Sequence, residues 1–524
     1  MSDSLQGGSI QTFDDVLIKY GEFGNYQKFI YILYSCPYIF TSMQLMGWTF
    51  VGVELPHRCL EPHENISTVL YNSSGLEEVS SCFINGNETC SEYVYDTQMI
   101  GDSVVKEWDL VCEDKEKIAR IGSSPMIGYL LGGIIFGTLS DKIGRKFTFL
   151  LSVTLLFISS GACAFAHSAF VFMILRFIVG IAIPGIETSC FVMGLELVGP
   201  SKRTLAGLLC WFFESMGLLT TVFISYNIHD NWRLLQGIFA SPLILFLLYY
   251  FFTPESPRWL VSRGRTKEAE KTIHKILKSN GFDKPEENLI ELLEKNNMGE
   301  SQKIRHYTFL DLYKTPNLRI KTLILNWLWI VLASFYYIML LDQSDLSSNP
   351  YLGFFITVAA QLPCYVYVMF TIDHPAVGRK KSLVILLAIA GTCLITHPFV
   401  SSKGNTYWIS FSLSLIGRLS ATSSFTILCL FSSEQFPTVL RGIGFSFNLT
   451  VSRIGSILAP YALMMGKYSH VIFGVGALIS AILVSYLTET HGIQLPDSIK
   501  DSEKIQPAFP WQQGKKSTKS TGDV

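Results

Sequence analysis

Long apolar runs, separated by polar segments, recur along almost the whole chain. Runs of about 20 residues, the length at which a helix spans a bilayer, begin near positions 28, 118, 147, 169, 204, 233, 321, 350, 382, 406, 440 and 469. Pro184 and Pro363 interrupt two of these runs, and prolines within membrane helices often mark bends. The pattern predicts an all-α membrane protein with twelve transmembrane helices.

The composition supports a membrane protein and argues against several other classes. Hydrophobic residues make up 49% of the chain and charged residues only 16%, whereas soluble domains carry about 25% charged residues. The formal net charge of −1 gives no indication of a nucleic-acid partner. No nucleotide-binding loop, nucleophile motif or metal-spaced His/Cys cluster is recognisable, so we expect no enzyme, no cofactor and no metal site. A coupling ion, Na⁺ or H⁺, and the oligomeric state stay open.

Lysine and arginine collect in alternate loops, and this asymmetry predicts the orientation. Inner loops of membrane proteins carry an excess of basic residues. Placing the N-terminus inside puts nearly all of the loop basic residues on that side, so we expect both termini in the cytoplasm. The basic residues concerned are Lys142, Arg145, Lys146, Lys202, Arg203, the basic residues from Arg258 to Arg319, Arg379, Lys380 and Lys381.

Polar segments divide the chain into five predicted parts. These are a cytoplasmic lead-in (1–27), an N-terminal six-helix half (28–252), a cytoplasmic central loop (253–320), a C-terminal six-helix half (321–488) and a cytoplasmic tail (489–524). The lead-in contains a short amphipathic pattern beginning at Phe13. The central loop shows helical periodicity around Lys267–Leu277 and Glu286–Leu293.

Residues 51–117 form one long loop between the first two spans, predicted to lie outside the cell. Its glycosylation sequons begin at Asn65, Asn72 and Asn87. Its four cysteines are Cys59, Cys82, Cys90 and Cys112. Outside the cell these cysteines are expected to form disulfides, with three pairings possible.

Charged features of the first half recur in the second half at a nearly constant separation. Glu196 and Arg203 are followed 238 positions later by Glu434 and Arg441. The repeat predicts two similar halves in parallel orientation, with the substrate site between them. It also predicts a ring of gating ion pairs, although plain positive-inside anchoring is the alternative interpretation. The ring consists of Asp141, Arg145, Glu196, Arg203, Glu255, Arg258, Asp373, Arg379, Glu434, Arg441 and Glu489.

Several motifs indicate a family. The stretch Gly137–Lys146 resembles the loop between helices 2 and 3 of the major facilitator superfamily. Together with the motifs at Pro56–Cys59, Trp108–Cys112, Pro254–Leu260, Asp311–Pro316 and Glu434–Arg441, it makes nearly the whole chain resemble solute carrier family 22, the organic cation, carnitine and organic anion transporters. Ser452–Pro460 and Leu362–Tyr365 look most like the carnitine and zwitterion branch.

The resemblance implies a transport function and suggests substrate-binding residues. Family members that carry anions or zwitterions tend to have arginine at the position of Arg453, which favours a carboxylate-bearing substrate, although a structural ion pair with Glu187 or Glu214 is the alternative. Carboxylates inside the membrane need a partner, a proton or a cation, so both glutamates are also candidates. Aromatic faces attract quaternary ammonium groups. The aromatic candidates are Trp211, Trp329, Tyr336, Tyr337, Tyr365 and Phe425.

These observations favour a plasma-membrane transporter of small organic cations or zwitterions, with a carnitine-like betaine as the most specific hypothesis. Its partners would be that small molecule and the lipid bilayer. A carrier of organic anions, using Arg453 without an acidic counterpart, is the nearest alternative. A receptor or scaffold without transport activity is a further alternative, against which the repeated charged motifs argue.

Overall fold

A computed structural model describes residues 13–60, 82–84, 88–90, 92–282, 308–342, 346–372, 378–400, 406–437, 439–490 and 499. The chain forms two compact units, Met1–Arg305 and His306–Val524. The boundary lies within the predicted central loop.

The first unit is helical. Its helices are α1 (Phe13–Tyr20), α2 (Asn25–Met46), α3 (Trp48–Val51), α4 (Val104–Glu107), α5 (Lys115–Ile143), α6 (Arg145–Cys163), α7 (Ala169–Glu196), α8 (Arg203–Asn227), α9 (Trp232–Ala240), α10 (Tyr249–Phe252), α11 (Pro257–Ser262) and α12 (Thr266–Ser279). Short 3₁₀ turns occupy Cys112–Asp114, Pro200–Lys202 and Ser241–Leu248. The last of these joins α9 to α10, so that Trp232–Phe252 is one long apolar segment.

The long loop after α3 adds two small sheets that the apolar pattern did not predict. Strand β1 (His57–Cys59) pairs antiparallel with β4 (Tyr93–Tyr95), and β2 (Phe83–Ile84) pairs with β3 (Glu88–Thr89). Disulfides join Cys59 to Cys90 and Cys82 to Cys112. The predicted disulfides are therefore confirmed, and the structure selects one of the three possible pairings. Asn65, Asn72 and Asn87 lie outside the described residues.

The second unit repeats the long helices of the first. It contains a 3₁₀ turn (Phe309–Tyr313), α13 (Pro316–Leu341), α14 (Pro350–Thr371), α15 (Arg379–Thr396), a 3₁₀ turn (His397–Phe399), α16 (Tyr407–Glu434), α17 (Arg441–Leu463) and α18 (Lys467–Ser485). Its core is built from apolar side chains such as Leu325, Leu387, Phe431 and Val484, none of them exposed.

Twelve helical segments begin within five residues of the predicted positions. Among the described residues, eleven are long and apolar enough to cross a membrane. The remaining one is α17, whose 23 residues include Arg441, Asn448 and Arg453. Helices α7 and α14 continue through Pro184 and Pro363. The long helix that is not among these eleven is thus the one that carries Arg453, the principal binding candidate.

Close helix packing follows the same repeat. A Cβ atom on Gly217 of α8 would lie 2.3 Å from the carbonyl oxygen of Ile39 in α2. A Cβ atom on Gly455 of α17 would lie 2.2 Å from the carbonyl oxygen of Ile330 in α13. Because no side chain fits at either position, the backbones touch directly, as is common between membrane helices. The two glycines are 238 positions apart, the separation found for the charged residues.

Candidate functional site

A buried ion pair connects three elements at one end of the first unit. The guanidinium of Arg145, at the start of α6, lies 3.1 Å from the carboxylate of Glu196 at the end of α7, and their side chains are only 13% and 16% exposed. The hydroxyl of Ser256 donates a second hydrogen bond to Glu196. We call Gly144, Arg145, Glu196, Glu255 and Ser256 the Gly144 cluster.

Glu255, although distant in sequence, caps the N-terminus of helix α6. One of its carboxylate oxygens accepts a hydrogen bond of 3.1 Å from the backbone N–H of Lys146, so its negative charge faces the positive end of the helix dipole. Burial raises the pKa of Glu255, whereas N–H donors from Ser256 and Lys146 act in the opposite direction. These donors therefore help to keep the carboxylate ionised.

The carboxylate can approach α6 because Gly144 has no side chain. Gly144 adopts a φ of +106°, which residues with a Cβ rarely adopt, and a Cβ there would lie 2.5 Å from an oxygen of Glu255. The glycine of the motif is thus required both by its backbone conformation and by the space that Glu255 fills.

The second unit contains the same arrangement. Arg379, at the start of α15, forms an ion pair with Glu434 at the end of α16, and the side chains are 14% and 12% exposed. Glu489 accepts a hydrogen bond of 3.0 Å from the backbone N–H of Lys380. Gly378 has a φ of +67°. We call Gly378, Arg379, Glu434 and Glu489 the Gly378 cluster.

The other residues of the predicted ring have different surroundings. The Asp141 side chain is 78% exposed and lies 3.7 Å from the Arg145 guanidinium, so its carboxylate is mainly in contact with solvent. Arg203 and Arg258 both contact Asp14 of α1, a residue that sequence reasoning did not select. Arg441 begins α17, and Asp373 lies outside the described residues.

Both candidate glutamates of the first unit flank the same stretch of α2. Tyr38 donates a hydrogen bond of 2.8 Å to the backbone carbonyl of Glu187, and Ser42, one turn further on, donates one of 3.1 Å to that of Glu214. The Glu187 carboxylate also accepts a hydrogen bond of 2.6 Å from the hydroxyl of Tyr129. Trp211 lies on α8, one turn before Glu214.

Five of the second unit's candidate residues form a continuous row. Tyr336 stacks on Phe425 with ring centroids 5.4 Å apart, and Phe425 meets Trp329 edge-on, also at 5.4 Å. Tyr336 contacts Tyr337 edge-on at 5.8 Å, and the Tyr337 hydroxyl accepts a hydrogen bond of 3.0 Å from Arg453.

We call Trp329, Phe425, Tyr336, Tyr337 and Arg453 the aromatic row. Trp329 is completely buried in the core, whereas Tyr336, Phe425 and Arg453 are half-buried. Trp329 therefore packs against Phe425 from the core and presents no exposed surface of its own. Tyr365 is half-buried on α14.

One group of potential metal ligands is found in the described part of the chain. It consists of His57, Cys82 and Cys112 in the long loop. Because the two sulfurs are bonded to each other, they are not available as thiolate ligands.

Comparison with known proteins identifies the fold and the family. The family profile described as "Sugar (and other) transporter" matches residues 78–497. The chain is similar to the xylose transporter XylE from E. coli in its inward open conformation, with a TM-score of 0.63 at 16% identity over 91% of this chain and 98% of the other. This likeness supports a major facilitator fold of twelve helices, as predicted.

Curated relatives match over nearly their full length. An organic cation transporter protein of Drosophila melanogaster is 36% identical over 94% of this chain and 95% of its own. Solute carrier family 22 member 21 of Mus musculus is 30% identical over 94% of both chains. Organic cation/carnitine transporter 2 of the same species is 29% identical over 96% of both chains. The chain belongs to solute carrier family 22 of the major facilitator superfamily, and it is a multi-pass membrane transporter.

Proposed function

We propose that this transporter carries small organic cations and zwitterions, with carnitine-like betaines as the preferred class. The observation that carries the proposal is Arg453, a guanidinium in the middle of a membrane helix, hydrogen-bonded to a tyrosine hydroxyl. A cation in this position is costly unless it meets an anion or a polar partner. A substrate carboxylate supplies such an anion through two parallel hydrogen bonds.

The rest of the aromatic row supports a substrate with an ammonium group. Half-buried rings such as Tyr336 and Phe425 attract quaternary ammonium groups through their faces. In the first unit, Glu187, Glu214 and Trp211 provide further negative or aromatic surface. A purely anionic substrate would be repelled by two carboxylates within the membrane region, so we favour cations and zwitterions over organic anions.

We further propose that the Gly144 and Gly378 clusters form and break as the carrier alternates between its two open states. Each cluster connects the start of one long helix to the end of another by a buried ion pair. Such pairs are sensitive to small displacements because their attraction falls with distance while their desolvation persists. The repetition of the same contacts in both units supports a shared mechanical role.

The test of the proposed substrate class is uptake of labelled carnitine by cells that express the protein. We expect saturable uptake that unlabelled carnitine and tetraethylammonium inhibit and that p-aminohippurate leaves unchanged. Inhibition by p-aminohippurate alone would favour the organic anion alternative. No uptake of labelled carnitine or labelled tetraethylammonium at verified surface expression would contradict the proposal.

We also propose that the transporter resides in the plasma membrane with both termini in the cytoplasm. The disulfide-bonded loop supports this orientation, because disulfides persist in oxidising compartments. Enzymatic removal of N-glycans should then increase the electrophoretic mobility of surface protein, and the triple variant Asn65→Gln, Asn72→Gln, Asn87→Gln should lose this shift. Asn448→Gln is the matched control, because Asn448 is fully buried within α17. A triple variant that still migrates like the untreated wild-type protein would contradict the orientation.

A further inference from the structure

The short helix α1 packs onto the two helices that follow the first six long ones. Val16 and Tyr20 of α1 are only 3% and 6% exposed and lie in one apolar cluster with residues of α11 and α12. These partners are Trp259, Leu260, Val261, Ala269, Ile273 and Leu277. The amphipathic pattern at Phe13 thus predicted the helix, and its apolar face is covered within the same unit.

The polar face of α1 carries a carboxylate that two arginines share. The guanidinium of Arg203, the first residue of α8, lies 2.5 Å from Asp14, and that of Arg258 in α11 also contacts Asp14. All three side chains are about one-third exposed. The carboxylate of Asp14 therefore links α8 to α11.

The segment after α1 is hydrogen-bonded to α12 and to the link between α7 and α8. Asn280, which follows α12, donates a hydrogen bond of 3.0 Å to the backbone carbonyl of Tyr20. Gln27 donates one of 2.7 Å to the carbonyl of Leu197, and Glu22 accepts one of 3.2 Å from the N–H of Ser201. Residues 13–27 therefore connect α12 to the link between α7 and α8.

Arg258 lies close in sequence to two residues of the Gly144 cluster. It lies two positions after Ser256, whose hydroxyl donates to Glu196, and three after Glu255, which caps α6. Burial lowers the pKa of Arg258, whereas Asp14 acts in the opposite direction. Asp14 thus contacts an arginine that directly follows the loop holding Glu255 and Ser256.

We propose that α1 is a clasp for the first unit and that Asp14 is a positioning residue for the conformational change of the transport cycle. By holding Arg203 and Arg258 together, it keeps the Ser256 and Glu255 contacts in place. This inference rests on the gating role proposed for the Gly144 cluster, but it does not depend on the identity of the substrate.

The test compares Asp14→Asn with Glu270→Gln, which removes a charge from an exposed position on α12 that is 52% exposed. With labelled carnitine and labelled tetraethylammonium as probes, we expect Asp14→Asn to lower the maximal rate about fivefold at matched surface expression, because two partly exposed ion pairs are lost. KM should change by less than about twofold, because no substrate contact is removed. Glu270→Gln should match the wild type.

A charge exchange separates positioning from general destabilisation. Asp14→Arg combined with Arg258→Asp should recover part of the lost rate, because an ion pair between α1 and α11 is restored. The single change Asp14→Arg should be slower than Asp14→Asn. Should Asp14→Asn fail to reach the surface, the charge exchange decides. No recovery, or a change confined to KM, would overturn the positioning role.

A readout without substrate tests the clasp itself. Ala269 is fully buried beneath α1, so a cysteine at this position should react slowly with a membrane-impermeant maleimide in permeabilised cells. Adding Asp14→Asn should increase its labelling above the background of the parent protein. Unchanged labelling would overturn the clasp. If wild-type protein transports neither probe, the substrate proposal fails, and the labelling alone decides the clasp.

Discussion

Replacing Arg145 by alanine is expected to reduce transport at least about 100-fold at unchanged surface expression. The substitution leaves Glu196, only 16% exposed, without its guanidinium partner and with the Ser256 hydroxyl as a remaining donor. Removing one member of a buried pair costs about 3–5 kcal/mol. A carrier needs both end states at comparable free energy, and a loss of this size leaves one of them scarcely populated.

The structure supplies matched controls for this result. Arg265→Ala removes an exposed ion pair with Glu268, in which both side chains are about half exposed, and should leave uptake unchanged. Asp141→Asn should have a small effect, because the Asp141 carboxylate is largely exposed. Arg379→Ala, in the second unit, should resemble Arg145→Ala. Wild-type uptake by Arg145→Ala would contradict the gating role proposed for the Gly144 cluster.

Changing Arg453 to glutamine is expected to weaken carnitine transport by roughly thirtyfold or more in affinity, because a charged, two-pronged partner of the carboxylate is lost. Arg453→Lys keeps the charge but loses the planar fork, so it should recover activity only in part. Tetraethylammonium has no carboxylate. Its transport should be unchanged or improved, because a positive charge has been removed. The measurement is uptake of both compounds at matched surface expression.

Tyr337→Phe provides a milder control for the Arg453 prediction. It removes the hydroxyl that accepts from Arg453 at 3.0 Å and keeps both the ring and the guanidinium. Its effect on carnitine should therefore be smaller than that of Arg453→Gln, because the guanidinium remains available to the carboxylate. Carnitine transport that survives Arg453→Gln would reduce Arg453 to a structural residue.

Hydropathy predicted most of the fold because membrane helices must satisfy their backbone hydrogen bonds internally and must present mainly apolar side chains to the lipid. The positions of the long helices follow directly from this requirement. The exception, α17, is instructive, since Arg453 and Asn448 lower its apolar character. The apolar run that begins near position 440 nevertheless predicted this helix, as it did the others.

Contacts between residues that are distant in sequence were harder to predict. The repeat placed Arg145, Glu196, Arg379 and Glu434 in one predicted ring of charges, but it did not indicate which arginine contacts which glutamate. It gave no information on the exposure of Asp141, which depends on where the end of α5 meets solvent. Asp14 has no counterpart in the repeat, although its position opposite the apolar face of α1 was a usable signal. The disulfide pairing likewise depends on strand register.

The central claim is that this chain moves carnitine-like substrates by alternating access, and counterflow tests it most directly. Purified protein is reconstituted into liposomes that contain excess unlabelled carnitine, and labelled carnitine is added outside in trace amounts. A carrier returns to the outside with unlabelled substrate, so we predict transient accumulation of label above its equilibrium level. Arg145→Ala should abolish this accumulation. Entry of label only to its equilibrium level, or no entry at all, would contradict the account.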